Sequence, residues 1–213
     1  MAQRTIHYLL GEELIGLGIK DVDRFRVGNL LPDAIEDLVF RNLTHYQEEI
    51  ELDGRRVRFS DFERFRREFS PLVERDGMYL GYYMHLVEDA CYRMFWNRER
   101  IAPRNLTRPE VAVLHRDYHL LNRYIVSRYG IRNELVFPAG FEAEPLNRIY
   151  PFLLRDFLDE MKDDFTEDPE GLTRYLTEEL LERFLAEARG VCREALRRVL
   201  EGEDPLDPKT LTW

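Results

Sequence analysis

The chain has 213 residues, 44% of them hydrophobic and 12% aromatic, which excludes intrinsic disorder and suffices for one buried core. Its 41 acidic residues against 31 basic give a formal net charge of −10, and with no basic patch to oppose it this charge argues against nucleic acid as a partner. No apolar run reaches the roughly 18 to 20 residues of a membrane-spanning helix, and the opening MAQRTIHYLL lacks the apolar core and cleavage site of a signal peptide, so a cytoplasmic protein is expected.

Apolar residues recur at three- and four-residue spacing through most of the chain, which predicts a single all-α domain over 1–213. A first helix is expected over about Thr5–Leu17 and a second over about Val22–Leu30, with Pro32 interrupting it. Residues from about Asp33 to Tyr46 continue as a partly helical segment. The stretch EEIELDGRRVRFS alternates around Asp53-Gly54, a dipeptide suited to a two-residue turn, and predicts a small hairpin near 48–58.

Ser60 with Glu63, and Thr107 with Glu110, have the spacing of capping boxes and start two further helices. Between them GMYLGYYMHLVEDACYRMFW is apolar around most of its circumference, as for a helix in the middle of a bundle, where any polar residue needs an explanation. The helix begun at Thr107 should end at Gly130. After a loop containing Pro138, Gly140 and Pro145, two amphipathic helices are expected within 144–202, about Leu146–Phe165 and Thr173–Leu200. Cys91 and Cys192 lack metal-type spacing and read as reduced core residues.

All five histidines lie in the first 119 residues, which directs the search for chemistry to 1–122. Residues four apart on a helix differ by about 40° in direction, so His85 and Asp89 in HLVED share a face. His115 and His119 in HRDYH share one on the next helix, with Asn122 placed to support them from behind, while Asp117 is turned about 200° from His115. If these faces meet, His7, Asp33 and His45 complete the cluster. Imidazole with carboxylate suits zinc, with iron or manganese as alternatives.

In their order, His7, Asp33 in GNLLPDA, His45 in LTHY, His85 and Asp89 in GYYMHLVED, and HRDYH resemble the zinc-dependent phospholipase C family, and in the same respects the single-strand-specific zinc nucleases. The resemblance covers about residues 6–122. It implies an all-α bundle holding one to three zinc ions. Asp33, His45, His85 and Asp89 would hold one ion, Asp89 would bridge to a second held by His7, and His115 with His119 would contribute to a third. It further implies hydrolysis of a phosphoester, in a small or lipid-like molecule, by metal-activated water with Asp33 as the base.

The chain departs from the family in three places. The family's mature N-terminus is a metal-binding tryptophan, where this sequence starts with Met1. The histidine that follows the HxxxD aspartate in the family has no counterpart in ACYRMFWNRER. His119 stands where the family has a carboxylate. The alternative is therefore a noncatalytic metal-binding or structural helical protein derived from the same fold.

Other features have plainer readings beside functional ones. Tyr82, three residues before His85, is a candidate to orient a substrate, although aromatic residues at helical spacing are more often core. Glu88, rotated about 100° from Asp89, reads as a solvated or ion-paired carboxylate outside the site. ERFRREF reads first as an amphipathic helix and second as an anion-binding run. The apolar stripe of the last helix packs either on the body or against a second copy in a homodimer.

Overall fold

The structure, a computed structural model, describes residues 2–103 and 106–213. It is mostly helical with one small antiparallel hairpin, as the apolar spacing predicts. The elements in order are α1 (Arg4–Leu14), α2 (Val22–Gly28), α3 (Leu38–Thr44), β1 (Gln47–Leu52), β2 (Arg55–Ser60), α4 (Phe62–Glu68), α5 (Leu72–Arg75), α6 (Gly77–Glu99), α7 (Arg108–Tyr129), α8 (Pro145–Ile149), α9 (Leu154–Glu160), α10 (Asp163–Thr166) and α11 (Glu178–Glu201). Among the described residues, no helix is long and apolar enough to cross a membrane.

α6 is the axis of the fold. Every residue from Gly77 to Tyr92 is buried, so this helix is enclosed on all sides, with α1, α2, α4, α5 and α11 packed around it. Its closest neighbour is α2, and the reason is glycine. A Cβ on Gly28 would collide with the Met78 carbonyl, and one on Gly81 with the Phe25 carbonyl, so the two backbones touch where side chains would hold them apart. This contact brings Asn29, just past the end of α2, against the middle of α6.

The hairpin pairs Leu52 with Arg55 and Gln47 with Ser60. Asp53 and Gly54 both have positive φ, 51° and 72°, the backbone that a two-residue hairpin turn requires. Trp213 exchanges two main-chain hydrogen bonds with Arg58, each 2.9 Å, along the free edge of β2.

Three expected boundaries shift. Ser60 ends β2, and the cap of α4 is Asp61, whose carboxylate accepts from the Arg64 N–H at 2.9 Å. The expected 146–165 helix is broken into α8, α9 and α10. Tyr150 is extended (φ −120°, ψ 138°) because the ring of Pro151 disfavours helical backbone in the residue before it. The last helix begins at Glu178, capped by Thr177, not at Thr173. By contrast, Thr107 and Glu110 form the expected capping box, and Gly130 ends α7 in left-handed backbone.

The stripe of α11, including Leu181, Phe184, Leu185, Ala188, Cys192, Leu196 and Val199, is buried within the chain against α6, α1 and α5. The apolar surface that left a second copy open as a partner is thus covered by the body of the same molecule. Cys91 and Cys192 are both buried and free.

Candidate metal centre

His7 lies on α1, Asp33 in a short 3-10 turn, Leu31–Asp33, His45 at the end of α3 and His85 on α6. The fold brings these four separate segments together. The ligand atoms of His7, Asp33 and His85 all lie within 4.8 Å of one another, a buried group that could hold a metal ion. His45 adjoins it, with Nε2 3.3 Å from Asp33 Oδ1 and 3.2 Å from His85 Nε2. The imidazoles of His7 and His85 stack at 3.9 Å between centroids, and His45 meets His85 edge-on at 5.1 Å.

The outer nitrogens of the rings fix the state of the inner ones. His85 Nδ1 donates to the Asn29 carbonyl at 2.9 Å and His45 Nδ1 to the Arg41 carbonyl at 2.8 Å. A carbonyl can only accept, so both Nδ1 atoms carry a proton, and in a neutral ring so bonded the Nε2 is a bare lone pair. The two Nε2 atoms face each other at 3.2 Å, a separation at which two lone pairs would repel unless a proton or cation lay between them. His7 Nδ1 bonds Glu88 Oε2 at 2.8 Å. Its Nε2 is buried with no hydrogen-bond partner among the described residues, as is Asp33 Oδ1. Imidazoles tethered through one nitrogen with the other turned inward are the usual preparation of metal ligands.

Glu88 is central to that preparation. It is fully buried, binds His7 and also accepts from Asn29 Nδ2 at 3.0 and 3.1 Å. Asn29 therefore serves two ligands, His85 through its carbonyl and His7 through Glu88. Burial pushes the Glu88 carboxyl up, against the opposing pull of His7 and Asn29. Burial also disfavours the His7 imidazolium, but the Glu88 hydrogen bond and charge outweigh it and raise its pKa. His85 is held neutral, well below the ordinary histidine range, by burial and by neighbouring His7. At Asp33 the cost of burial is overcome by the surrounding imidazoles of His45, His85 and His7, which keep the carboxyl well below its usual range.

The other expected site residues lie elsewhere. Asp89 is buried, but its Oδ1 accepts from the Ala2 N–H at 3.0 Å and its Oδ2 from Arg93 Nε at 2.7 Å, and it is outside the converging group. Tyr82 is core: its ring stacks on Phe65 at 4.4 Å, and its hydroxyl donates to the Thr44 carbonyl at 2.7 Å, which fixes the end of α3 beside His45.

The HRDYH edge is turned outward. His115 is exposed, and His119 is half-exposed beside Glu167. The buried face of α7 is set by Leu114, Asp117, Leu121, Asn122 and Ile125. Asp117 accepts from the backbone N–H groups of Arg174, Tyr175 and Leu176 and so anchors the loop before α11. Asn122 bonds Gln3, Thr5 and Asp164, joining α7 to the start of α1 and to α10 instead of backing a histidine ligand. Replacing His115 or His119 with alanine is expected to leave metal content unchanged and stability within about 0.5 kcal/mol of the parent. Metal analysis and urea unfolding check this, and loss of metal in either variant would contradict the outward placement.

Glu88 and Asn29 are the residues behind the cluster that spacing did not single out. For Glu88 a signal existed, since an acid on a helix apolar all round must be compensated. Asn29 acts partly through its main-chain carbonyl, which no sequence pattern reveals. No protein-family model matches the chain, and neither curated proteins nor solved structures give a significant match.

Proposed function

We propose that the chain is a metal-dependent hydrolase of phosphoester bonds, of the zinc-dependent phospholipase C type. His7, His45 and His85 would hold zinc through their Nε2 atoms and Asp33 through its carboxylate. The observation that carries this reading is the set of lone pairs turned to one buried point, with His85 and His45 Nε2 only 3.2 Å apart and His7 Nε2 and Asp33 Oδ1 left without hydrogen bonds among the described residues. Three imidazoles and one carboxylate suit zinc best, and the same set accepts iron or manganese.

Zinc held by these residues would supply acidification of water, from a pKa of about 15.7 toward 7, and polarisation of a phosphoryl oxygen. The protein's own groups prepare that chemistry. Glu88 and Asn29 fix the His7 ring, the Asn29 and Arg41 carbonyls fix His85 and His45, and Tyr82 steadies the segment that carries His45. Asp33 is ionised, and of the four candidate ligands it is the one not wholly enclosed, with 8% of the residue exposed. That position suits Asp33 to take a proton as base. With His115 and His119 on the surface and Asp89 engaged by Ala2 and Arg93, the arrangement favours one ion over three.

The full burial of the three histidines favours a second reading, a structural ion that ties four segments together. Bis(p-nitrophenyl) phosphate and p-nitrophenyl phosphate, assayed with zinc, manganese or iron, separate the two. Hydrolysis predicts metal-dependent turnover that falls at least about 100-fold in His85→Ala. Stoichiometric metal without turnover of either ester would overturn the hydrolase reading and leave the structural one.

A further inference from the structure

A cavity of about 810 Å³ opens at the C-terminal end of α6, the helix that carries His85. Its lining includes Tyr92, Arg93 and Trp96 of α6, Arg100 just past its end, Tyr118 of α7 and Trp213. Both tryptophans of the chain are here. Among the described residues the lining includes two guanidinium groups and no Asp or Glu side chain, in a chain with 41 acidic residues and a net charge of −10. The charged side chains that line the cavity are thus opposite in sign to the net charge of the molecule, although Arg93 shares its charge with Asp89 behind the lining, and a cleft so lined favours anions.

The guanidiniums and rings are arranged for more than a bare anion. Arg93 is held by Asp89 through Nε, and its guanidinium carbon lies 5.0 Å from the centre of the Trp213 ring. Cation and indole are thereby stacked, with the Nη atoms at the outer end of the fork. The Tyr92 and Tyr118 hydroxyls lie 3.3 Å apart, which places two phenol rings beside the same space. His85, Asp89 and Arg93 follow at four-residue intervals along one face of α6. Long helical side chains lean toward the N-terminus. The Arg93 guanidinium therefore lies beside Asp89, about one turn, roughly 6 Å along the axis, from the level of His85.

We propose that this cavity binds an aromatic organic phosphate, its flat ring against Trp96 and Trp213 and its phosphoryl group toward Arg93 and Arg100. That such a ligand is also the substrate rests on the hydrolase reading above. The cavity then supplies recognition, and the adjacent cluster of His7, Asp33, His45 and His85 supplies the chemistry. An aliphatic phosphoester would use the guanidiniums but not the rings, and a neutral aromatic would use the rings but not the guanidiniums.

Because both tryptophans line the cavity, the intrinsic fluorescence of the full chain reports occupancy directly. Titration with phenyl phosphate, without added metal, is expected to change the emission saturably, at an affinity at least tenfold above that for phenol or inorganic phosphate. Arg100→Gly is the informative variant, because Arg100 has left-handed backbone (φ 53°, ψ 45°) where glycine is preferred. It should weaken phenyl phosphate binding about tenfold while the melting temperature stays the same or rises, which excludes misfolding as the cause. No saturable change, equal affinity for inorganic phosphate alone, or unaltered binding in Arg100→Gly would overturn the proposal. With zinc added, hydrolysis of benzyl phosphate in preference to methyl phosphate, two esters whose leaving alcohols are of similar acidity, supports recognition of substrate in this cavity, and equal rates for the two overturn it. Tight binding without any hydrolysis would instead keep the cavity as a binding site and overturn the hydrolase reading.

Discussion

Replacing Glu88 with alanine is expected to lower the stability of the fold by about 3–5 kcal/mol, the range for removing one member of a buried ion pair. Glu88 holds His7 Nδ1 at 2.8 Å and accepts from Asn29 Nδ2 through both carboxylate oxygens, at 3.0 and 3.1 Å. Without it two buried donors lose their partner, each worth about 1–3 kcal/mol, and a cavity opens between α1, α2 and α6. Glu88→Gln should cost less. Its amide oxygen can accept from His7, but its NH2 group then faces the NH2 of Asn29. Urea unfolding of the two variants gives the comparison, and a loss below about 1 kcal/mol in Glu88→Ala would show that His7 is not held in this way. Metal affinity should fall with stability, since the ring of His7 would no longer be oriented.

The second large effect is expected from a single added methyl group. Gly81→Ala sets a Cβ against the Phe25 carbonyl and the Asn29 N–H, and Gly28→Ala sets one against the Met78 carbonyl. In each case the obstacle is main chain, which cannot rotate away, so α2 and α6 must separate. A cost of about 3 kcal/mol or more follows, at the upper end for overpacked cores. The separation would also withdraw the Asn29 carbonyl from His85 Nδ1, so metal binding should weaken together with stability. Gly190, on the exposed side of α11, has open space where a Cβ would stand, with nothing within 4 Å, and Gly190→Ala should instead stabilise the helix by up to about 1 kcal/mol. Thermal unfolding of the three variants checks the contrast, and equal effects at Gly81 and Gly190 would contradict close packing of α2 on α6.

How far sequence alone reaches is clear from individual residues. His7, Asp33 and His85 were legible as a converging set, although the ordering of motifs, not any one spacing, pointed to them. His115 and His119 mark the limit. A spacing of four places two side chains on one face, but the face turned inward is chosen by all the contacts of the helix. On α7 the choice falls to Leu114, Leu121 and Ile125, together with Asp117, whose partners at 174–176 lie more than fifty residues away. Asp89 shows the same limit more finely, because it shares the face of His85 yet is drawn off by Arg93 one turn further and by Ala2 from another segment. The buried circumference of α6 was evident from its composition. The close approach of α2 was not, since it depends on which glycines meet across the pair.

The pKa shifts also set the sign of the pH dependence. In the metal-free chain the raised pKa of His7 means that its pairing with Glu88 stabilises the fold fully below the ordinary histidine range. That contribution is lost as the pH rises through the raised value. A metal ion competes with the same proton. His85, kept neutral by burial, has none to release near neutral pH, whereas His7, with its raised pKa, does. Affinity should therefore decline as the pH falls through the range in which His7 becomes protonated.

That His7, Asp33, His45 and His85 form a metal centre is tested most directly by calorimetric titration of zinc into the chelator-treated full chain. One ion per chain is expected, with proton release that increases at lower pH as the affinity falls, and with loss of the site in His85→Ala and Asp33→Asn. A folded chain that binds no zinc, or binds it equally well in both variants, would contradict the metal centre.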